Sequence, residues 1–319
     1  VRQKCAPVKP QPTPGIGKSA FSQLADSLDP EAPGRGRERF TGKDADEPMA
    51  YAGIAFAAAR AGRIDLARKA ADWLVAASDH GQGRLGWGLS FPYDAFGDGS
   101  LNPPDTIYGV TVGFAAQALV AVWETTGDRR YLETAHAALR YYALKAAIQD
   151  GVIYYSDSPN DRKEDYETYN VSAYLTGQMH RVGMIVQDED MIALARKSAQ
   201  RLLLQARRVG DALSWPYYRG APALPNDALH AAFFLTSFYD AGLRGEPLAR
   251  IRLLLDAYVR GEEGLLWKYA EVNEYPAARA SAYLSTKALG WDVGSVAFAQ
   301  CYSGSLARGR KVIIDNRHL

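Results

Sequence analysis

The sequence predicts an all-α fold: an α/α toroid, or incomplete α/α barrel, of about five helical hairpins with short aromatic β-hairpin connections. Three observations predict it. From Glu47 onward one pattern recurs: an apolar segment of helical period, a short turn, a second Ala-rich segment with charges on one face, and an aromatic stretch. First helices begin near Glu47, Asp105, Glu167, Asp227 and Arg279, at separations of 58, 62, 60 and 52 residues. That period exceeds the roughly 33 to 47 residues of most helical solenoids, because each unit carries an aromatic connection, and it favours a ring of inner first helices inside outer second helices.

Residues 1–17 hold Pro7, Pro10, Pro12 and Pro14 among polar residues and read as an extended arm. A single domain follows over 18–310, then a tail over 311–319, and SAFSQLADSL (19–28) reads as an extra outer helix. Turns fall at Gly62-Arg63, Gly127-Asp128, Gln187-Asp188 and Gly245-Glu246, where Gly or an acid supplies the stop and the next start. The second helices, such as IDLARKAADWLVAAS and EDMIALARKSAQRLLLQ, put small Ala on one face and charge on the other, as outer helices do. The aromatic stretches are GWGLSFPY (86–93), GVIYYSDS (151–158), LSWPYYRG (213–220) and GLLWKYAE (264–271).

The chain of 319 residues is 47% hydrophobic and 23% charged, which excludes a disordered chain or a coiled-coil rod. With 37 Lys and Arg against 36 Asp and Glu, no overall basic field draws in nucleic acid. No apolar run is long enough for a membrane span. Cys5 and Cys301 alone cannot build a structural zinc site, and two free thiols are the plainer reading, a bridge between them the alternative. No metal or cofactor is expected. The chain opens with Val and has no basic-then-apolar leader, the pattern of a mature chain whose signal has gone. The expected location is periplasmic or secreted, with the cytoplasm as the alternative; the oligomeric state is not legible.

In such a ring each connection ends where the next inner helix begins, so unusual residues gather on one rim. Every inner-helix start carries an acid, whose first expectation is to cap the helix. Capping does not account for polar residues further along the same face: Asp105 with Tyr108, Asp227 with His230, Glu47 with Tyr51, and the series Glu167, Asn170, Tyr174, Gln178, Arg181. An inner helix is covered outside, so this stripe is expected to face a wet, polar centre. Beside it the aromatics Trp87, Tyr93, Tyr154, Trp215, Tyr217, Trp267 and Tyr269 match a surface that stacks pyranose rings; a packed layer beneath the loops is the alternative.

The hairpin repeat and the stretch DTIYGVTVGFAAQALVAVWETTGDRRYLETA (105–135) resemble the α/α-toroid carbohydrate-active enzymes, a group that includes unsaturated glucuronyl hydrolases, polysaccharide lyases and D-glucuronyl C5-epimerases. NEYPAARASAYL (273–284) is similar to the Glu-Tyr-Pro start of an inner helix in the epimerases, and that likeness implies Glu274 and Tyr275 at the cleft.

The leading expectation is a glycoside hydrolase acting on a bacterial polysaccharide or oligosaccharide, with Asp105, Glu167 and Asp227 as candidate general acid and base. A uronate lyase or C5-epimerase is the second reading, with Tyr169, Tyr174 or His230 abstracting a proton, Asn170 nearby, and Arg181 or Arg279 neutralising the uronate. A noncatalytic carbohydrate-binding protein is the third. Expected substrate-binding residues are Tyr51, Trp87, Tyr93, Tyr108, Asn170, Arg181, Trp215, Tyr217, Trp267, Tyr269, Glu274 and Arg279.

Overall fold

A computed structural model describes residues 25–26, 28–37, 43–145, 151–221, 228–256, 258–260 and 266–269. Eight helices form four successive hairpins among these residues: α1 (Pro48–Ala61) with α2 (Ile64–Ala76), α3 (Gly109–Thr126) with α4 (Arg129–Lys145), α5 (Tyr169–Val186) with α6 (Glu189–Leu204), and α7 (Ala228–Asp240) with α8 (Glu246–Asp256). The first helix of each pair packs against the first helix of the next, α1 on α3, α3 on α5 and α5 on α7, and the second helices lie outside. This is the α/α toroid the repeat predicts. The fifth inner helix expected near Arg279, the segment 1–17, both cysteines and the tail lie outside the described residues.

The layering follows from composition. In α1, PMAYAGIAFAAARA is apolar nearly all round, and Pro48 to Ala59 are all buried. In α2 the buried positions are Ala67, Ala70, Ala71 and Leu74, one stripe at helical spacing. Inner helices approach closely where the sequence supplies glycine. A Cβ on Gly113 would sit 2.7 Å from the Tyr174 ring, and one on Gly177 would sit 2.6 Å from Ser237 Cα. The hairpin turns match the predicted stops: Gly62 and Gly127 take φ of 76° and 74°, and Gln187 takes 62° in their place. Asp188 then caps α6 by accepting from Met191 N at 3.1 Å.

Among the described residues three two-stranded antiparallel ribbons accompany the helices. β1 (Arg35–Arg37) pairs with β2 (Asp44–Asp46), β3 (Arg207–Val209) with β4 (Ala212–Ser214), and β5 (Tyr258–Arg260) with β6 (Leu266–Tyr269). Single antiparallel bridges stitch each connection to an inner-helix start: Gly88 to Ile107, Tyr108 to Ser156, and Thr168 to Tyr218. Two connections also share an anchor. Trp87 Nε1 donates to Leu74 O at 2.9 Å, and Trp215 Nε1 donates to Leu202 O at 2.7 Å, each indole reaching the outer helix thirteen residues before it. Both side chains are 1% exposed, so they are framework anchors beneath the loops and not a sugar-stacking surface.

The face of α5 departs from the sequence expectation. Tyr174 stacks on Phe233 with centroids 4.5 Å apart, Phe114 packs edge-on to both, and Tyr174 Oη donates to Gln117 Oε1. These rings form an aromatic cluster that joins α3, α5 and α7. Of the polar series on α5, Tyr174 and Arg181 meet Gln117 and Glu124 of α3, and Asn170 and Gln178 are buried. Twelve residues separate Tyr169 from Arg181, about 18 Å along a helix. Arg181 therefore lies at the opposite end of the ring from the connections, in a row with Arg60 and Glu124 from the last turns of α1 and α3.

Candidate functional site

The connections preceding α3, α5 and α7 bring an aromatic band onto the rim at the inner-helix N-termini. It runs from Phe91 to Tyr93 (centroids 6.4 Å), Tyr108 (6.0 Å) and Tyr155 (5.6 Å), then to Phe96 (5.5 Å). Phe96 stacks on Tyr166 at 4.0 Å with planes 10° apart and meets Tyr218 edge-on at 5.4 Å. Tyr93 and Tyr108, both predicted from sequence, belong to this band. Phe91, Phe96, Tyr155, Tyr166 and Tyr218 were missed. The aromatic stretches gave the signal, but residues next to one another in an extended segment face opposite ways. Choosing Tyr154 and Tyr217 instead of Tyr155 and Tyr218 is a slip of one residue.

A buried carboxylate lies beside the band. Asp161 is 1% exposed, and its Oδ2 accepts from Asn102 Nδ2 at 2.8 Å and from Ser156 Oγ at 2.5 Å. Burial pushes its carboxyl above the usual carboxylate range, the two hydrogen bonds pull the other way, and nearby Asp98 and Asp94 add to the rise. Tyr108 Oη is buried beside this group, and burial drives its hydroxyl well above the ordinary phenol range. Asp161 carries no periodic signal in SPND (158–161), since one of its partners, Asn102, is 59 residues away in the chain.

The predicted acids fall differently. Glu47 occupies the N-cap position of α1 without a side-chain cap bond. Asp105 lies four residues before α3, exposed on the rim in the left-handed region at φ 62°, and so does not cap that helix. Its carbonyl accepts from Arg84 Nη2, which also pairs with Asp157. Glu167 is 1% exposed and is held by Arg201 of the outer helix α6 at 2.6 Å. Burial raises its carboxyl and Arg201 opposes this, so it serves as a buried tie between inner and outer layers.

Tyr51 is 1% exposed, stacks on Trp73 of α2 at 3.9 Å and donates to Asp46, which turns it away from the ring's centre. Tyr169 and Asn170 are buried in the first turn of α5, and Tyr217 is half-buried with its carbonyl accepting from Tyr169 N. His230 lies in the first turn of α7, and Trp267 and Tyr269 lie on β6. Asp227, Glu274, Tyr275 and Arg279 lie outside the described residues. Among the described residues no group of three or more His, Cys, Asp or Glu could hold a metal ion, and no helix is long and apolar enough to cross a membrane.

No family model matches the sequence, and no curated protein matches it. Solved structures do. An unsaturated glucuronyl hydrolase specific for heparin aligns over 89% of this chain and 80% of its own at 11% identity and a TM-score of 0.54. The cellobiose 2-epimerase of Bacillus thermoamylovorans B4167 aligns over 91% and 84% at 11% identity and a TM-score of 0.53. The unsaturated glucuronyl hydrolase of Bacillus sp. GL1 aligns at 16% identity and a TM-score of 0.49, over 68% of this chain; the alignment spans 65% of that enzyme's length. The chain has the α/α-toroid fold of these carbohydrate-active enzymes. Because the heparin-specific hydrolase and the cellobiose 2-epimerase share it, the fold alone does not select a reaction.

Proposed function

We propose that this protein is a glycoside hydrolase acting on an acidic polysaccharide or oligosaccharide at the loop-bearing rim, with Asp161 as proton donor. The observation that carries the reading is a buried carboxylate, raised above its ordinary range, beside a band of seven aromatic rings. Glycosidic cleavage needs an acid that still holds its proton when the substrate binds, and burial supplies that condition. Stacked and edge-on rings offer apolar faces to pyranose rings. Asp105, exposed on the connection that also bears Tyr93 and Tyr108, is assigned to activating water.

Proton abstraction by tyrosine is supported less well. Burial raises the hydroxyls of Tyr93, Tyr108, Tyr155 and Tyr169, which keeps each protonated and harder to ionise as a base, and Tyr174 is buried against Phe114 and Phe233. The test is incubation with uronate, amino-sugar and neutral polysaccharides, following reducing ends and unsaturated-uronate absorbance together. The reading expects new reducing ends without that absorbance, and a loss of at least about a hundredfold in Asp161→Asn with substrate binding retained. Both signals rising together would make the protein a lyase. Binding without turnover on any substrate would make it a carbohydrate-binding protein.

A further inference from the structure

We infer that Tyr166, Lys163, Tyr155 and Tyr218 form a subsite for an acidic sugar residue, and that the loop 94–101 occupies it as an internal stand-in. In this arrangement the Phe96 ring takes the place of a pyranose and the Asp98 carboxylate the place of its acid group. The inference rests on the carbohydrate reading above and adds to it a subsite and a gate.

The contacts of the loop carry the argument. Phe96 lies face to face on Tyr166 at 4.0 Å, with Tyr155 and Tyr218 at its edges, so three tyrosines enclose one ring-sized space. Two residues on, Asp98 Oδ2 accepts from Lys163 Nζ at 2.6 Å and from the Tyr166 hydroxyl at 2.5 Å. A ring on an aromatic face with an anion at a lysine and a phenol beside it is the recognition pattern of a sugar acid.

The loop is braced internally and held loosely to its surroundings. Asp94 Oδ1 accepts from the backbone N–H of Phe96, Gly97 and Asp98, and its Oδ2 accepts from Gly99 N at 2.8 Å. Gly97 and Gly99 take φ of 70° and 86°, which L side chains rarely adopt, so glycine is needed for the tight tip. Tyr93 and Asn102 exchange both backbone hydrogen bonds at the base, and Asn102 rests on Asp161. Outward ties of the tip beyond the Phe96 ring and Asp98 are few; Asn160 Nδ2 donates to Leu101 O at 3.3 Å. Lys163 is half exposed, and ion pairs of this kind are weak and easily exchanged. A ligand that satisfies Tyr166 and Lys163 together can therefore displace the loop as a unit. Asn102, at the loop's base, also holds Asp161, so the loop is footed on the residue that supports the proposed proton donor.

The experiment measures binding by calorimetry of trigalacturonate, a hyaluronan tetrasaccharide and neutral maltotriose to the full chain. Phe96→Ala should bind at least one acidic oligosaccharide about tenfold more tightly than wild type, because the ligand no longer competes with a stacked ring. Asp98→Asn should tighten it about threefold by freeing Lys163. Tyr166→Ala combined with Phe96→Ala should abolish the gain. In wild type, saturating ligand should speed amide hydrogen exchange over residues 96–100. Unchanged or weaker binding in both single variants, or a gain that survives loss of Tyr166, overturns the stand-in. If wild type hydrolyses a polysaccharide while Phe96→Ala leaves KM and Kd unchanged, only this inference falls. If no oligosaccharide binds to any variant, the carbohydrate reading falls with it.

Discussion

Asp240 ends α7 at the far side of the ring, and its replacement by asparagine is expected to stabilise the protein in a pH-dependent way. Burial lifts its carboxyl from 3.8 to about 6, and nearby Glu124 adds to the rise while Arg181 and Arg244 oppose it. The position itself compounds the cost, since a carboxylate at a helix C-terminus meets the negative end of the dipole. Arg181 is shared with Glu124, which also pairs with Arg60, and Arg244 is turned to the carbonyls of Tyr239 and Leu243, so neither cation is committed to Asp240. Between about pH 4 and 6 the folded chain holds a proton that the unfolded chain releases, so stability from this group is complete at the acid end and lost as pH rises through 6. A gap of about two pH units corresponds to about 3 kcal/mol. The neutral amide of Asp240→Asn never ionises. Urea unfolding at pH 4 should find variant and wild type alike, whereas at pH 8 the variant should be more stable by about 1 to 3 kcal/mol, the lower figure allowing for a buried amide in a site built for a carboxyl. A variant less stable than wild type at pH 8, or a difference constant from pH 4 to 8, would refute the reasoning.

At the outer layer, Asp188 caps α6 and also receives His136 and Arg140, which hold its carboxyl down at about 2. Its contribution is present above the unfolded value near 3.9 and lost as pH falls toward 2, and Asp188→Ala should cost about 2 to 3 kcal/mol in urea unfolding at pH 7. Gly177→Ala drives a methyl to within 2.6 Å of Ser237 backbone; despite the better helix propensity of alanine, it should lower Tm by a margin worth about 1 to 3 kcal/mol. Trp87→Phe removes the indole bond to Leu74 O from a fully buried site and should cost about 1 to 3 kcal/mol while leaving oligosaccharide affinity unchanged, as calorimetry would register.

The fold was legible because the ring is a repeat, and a repeat is visible in one dimension. Gly62, Gly127 and Gln187 sit at left-handed stops where the sequence put turns, and the Ala stripe of α2 is the stripe that is buried. Helix starts were less legible. Asp105 and Glu167 are the acids nearest α3 and α5, yet neither caps: each lies upstream in a connection whose path is set by bridges such as Tyr108 to Ser156, between residues far apart in the chain. The α5 series failed for another reason. Spacings of 3 and 4 specify a face, but they do not specify whether that face meets water or another helix, and Tyr174 with Gln117 and Arg181 with Glu124 show partners supplied by α3.

The same limit explains why the site residues divide as they do. Trp87 and Trp215 are the most conspicuous aromatics in their stretches, and both are consumed in anchoring connection to outer helix, since a large side chain with one donor is what a buried carbonyl at a helix end can use. The rings left to the rim's band are plainer ones, Tyr155 and Tyr218, joined by Phe96 from a loop with no helical or strand period. Asp161 is held by Asn102 from the preceding connection, so the carboxylate, its polar support and the aromatic band exist only once three units are assembled. A repeat makes its scaffold from what the units have in common. Its chemistry comes from what one unit adds to the next, and that part is not periodic.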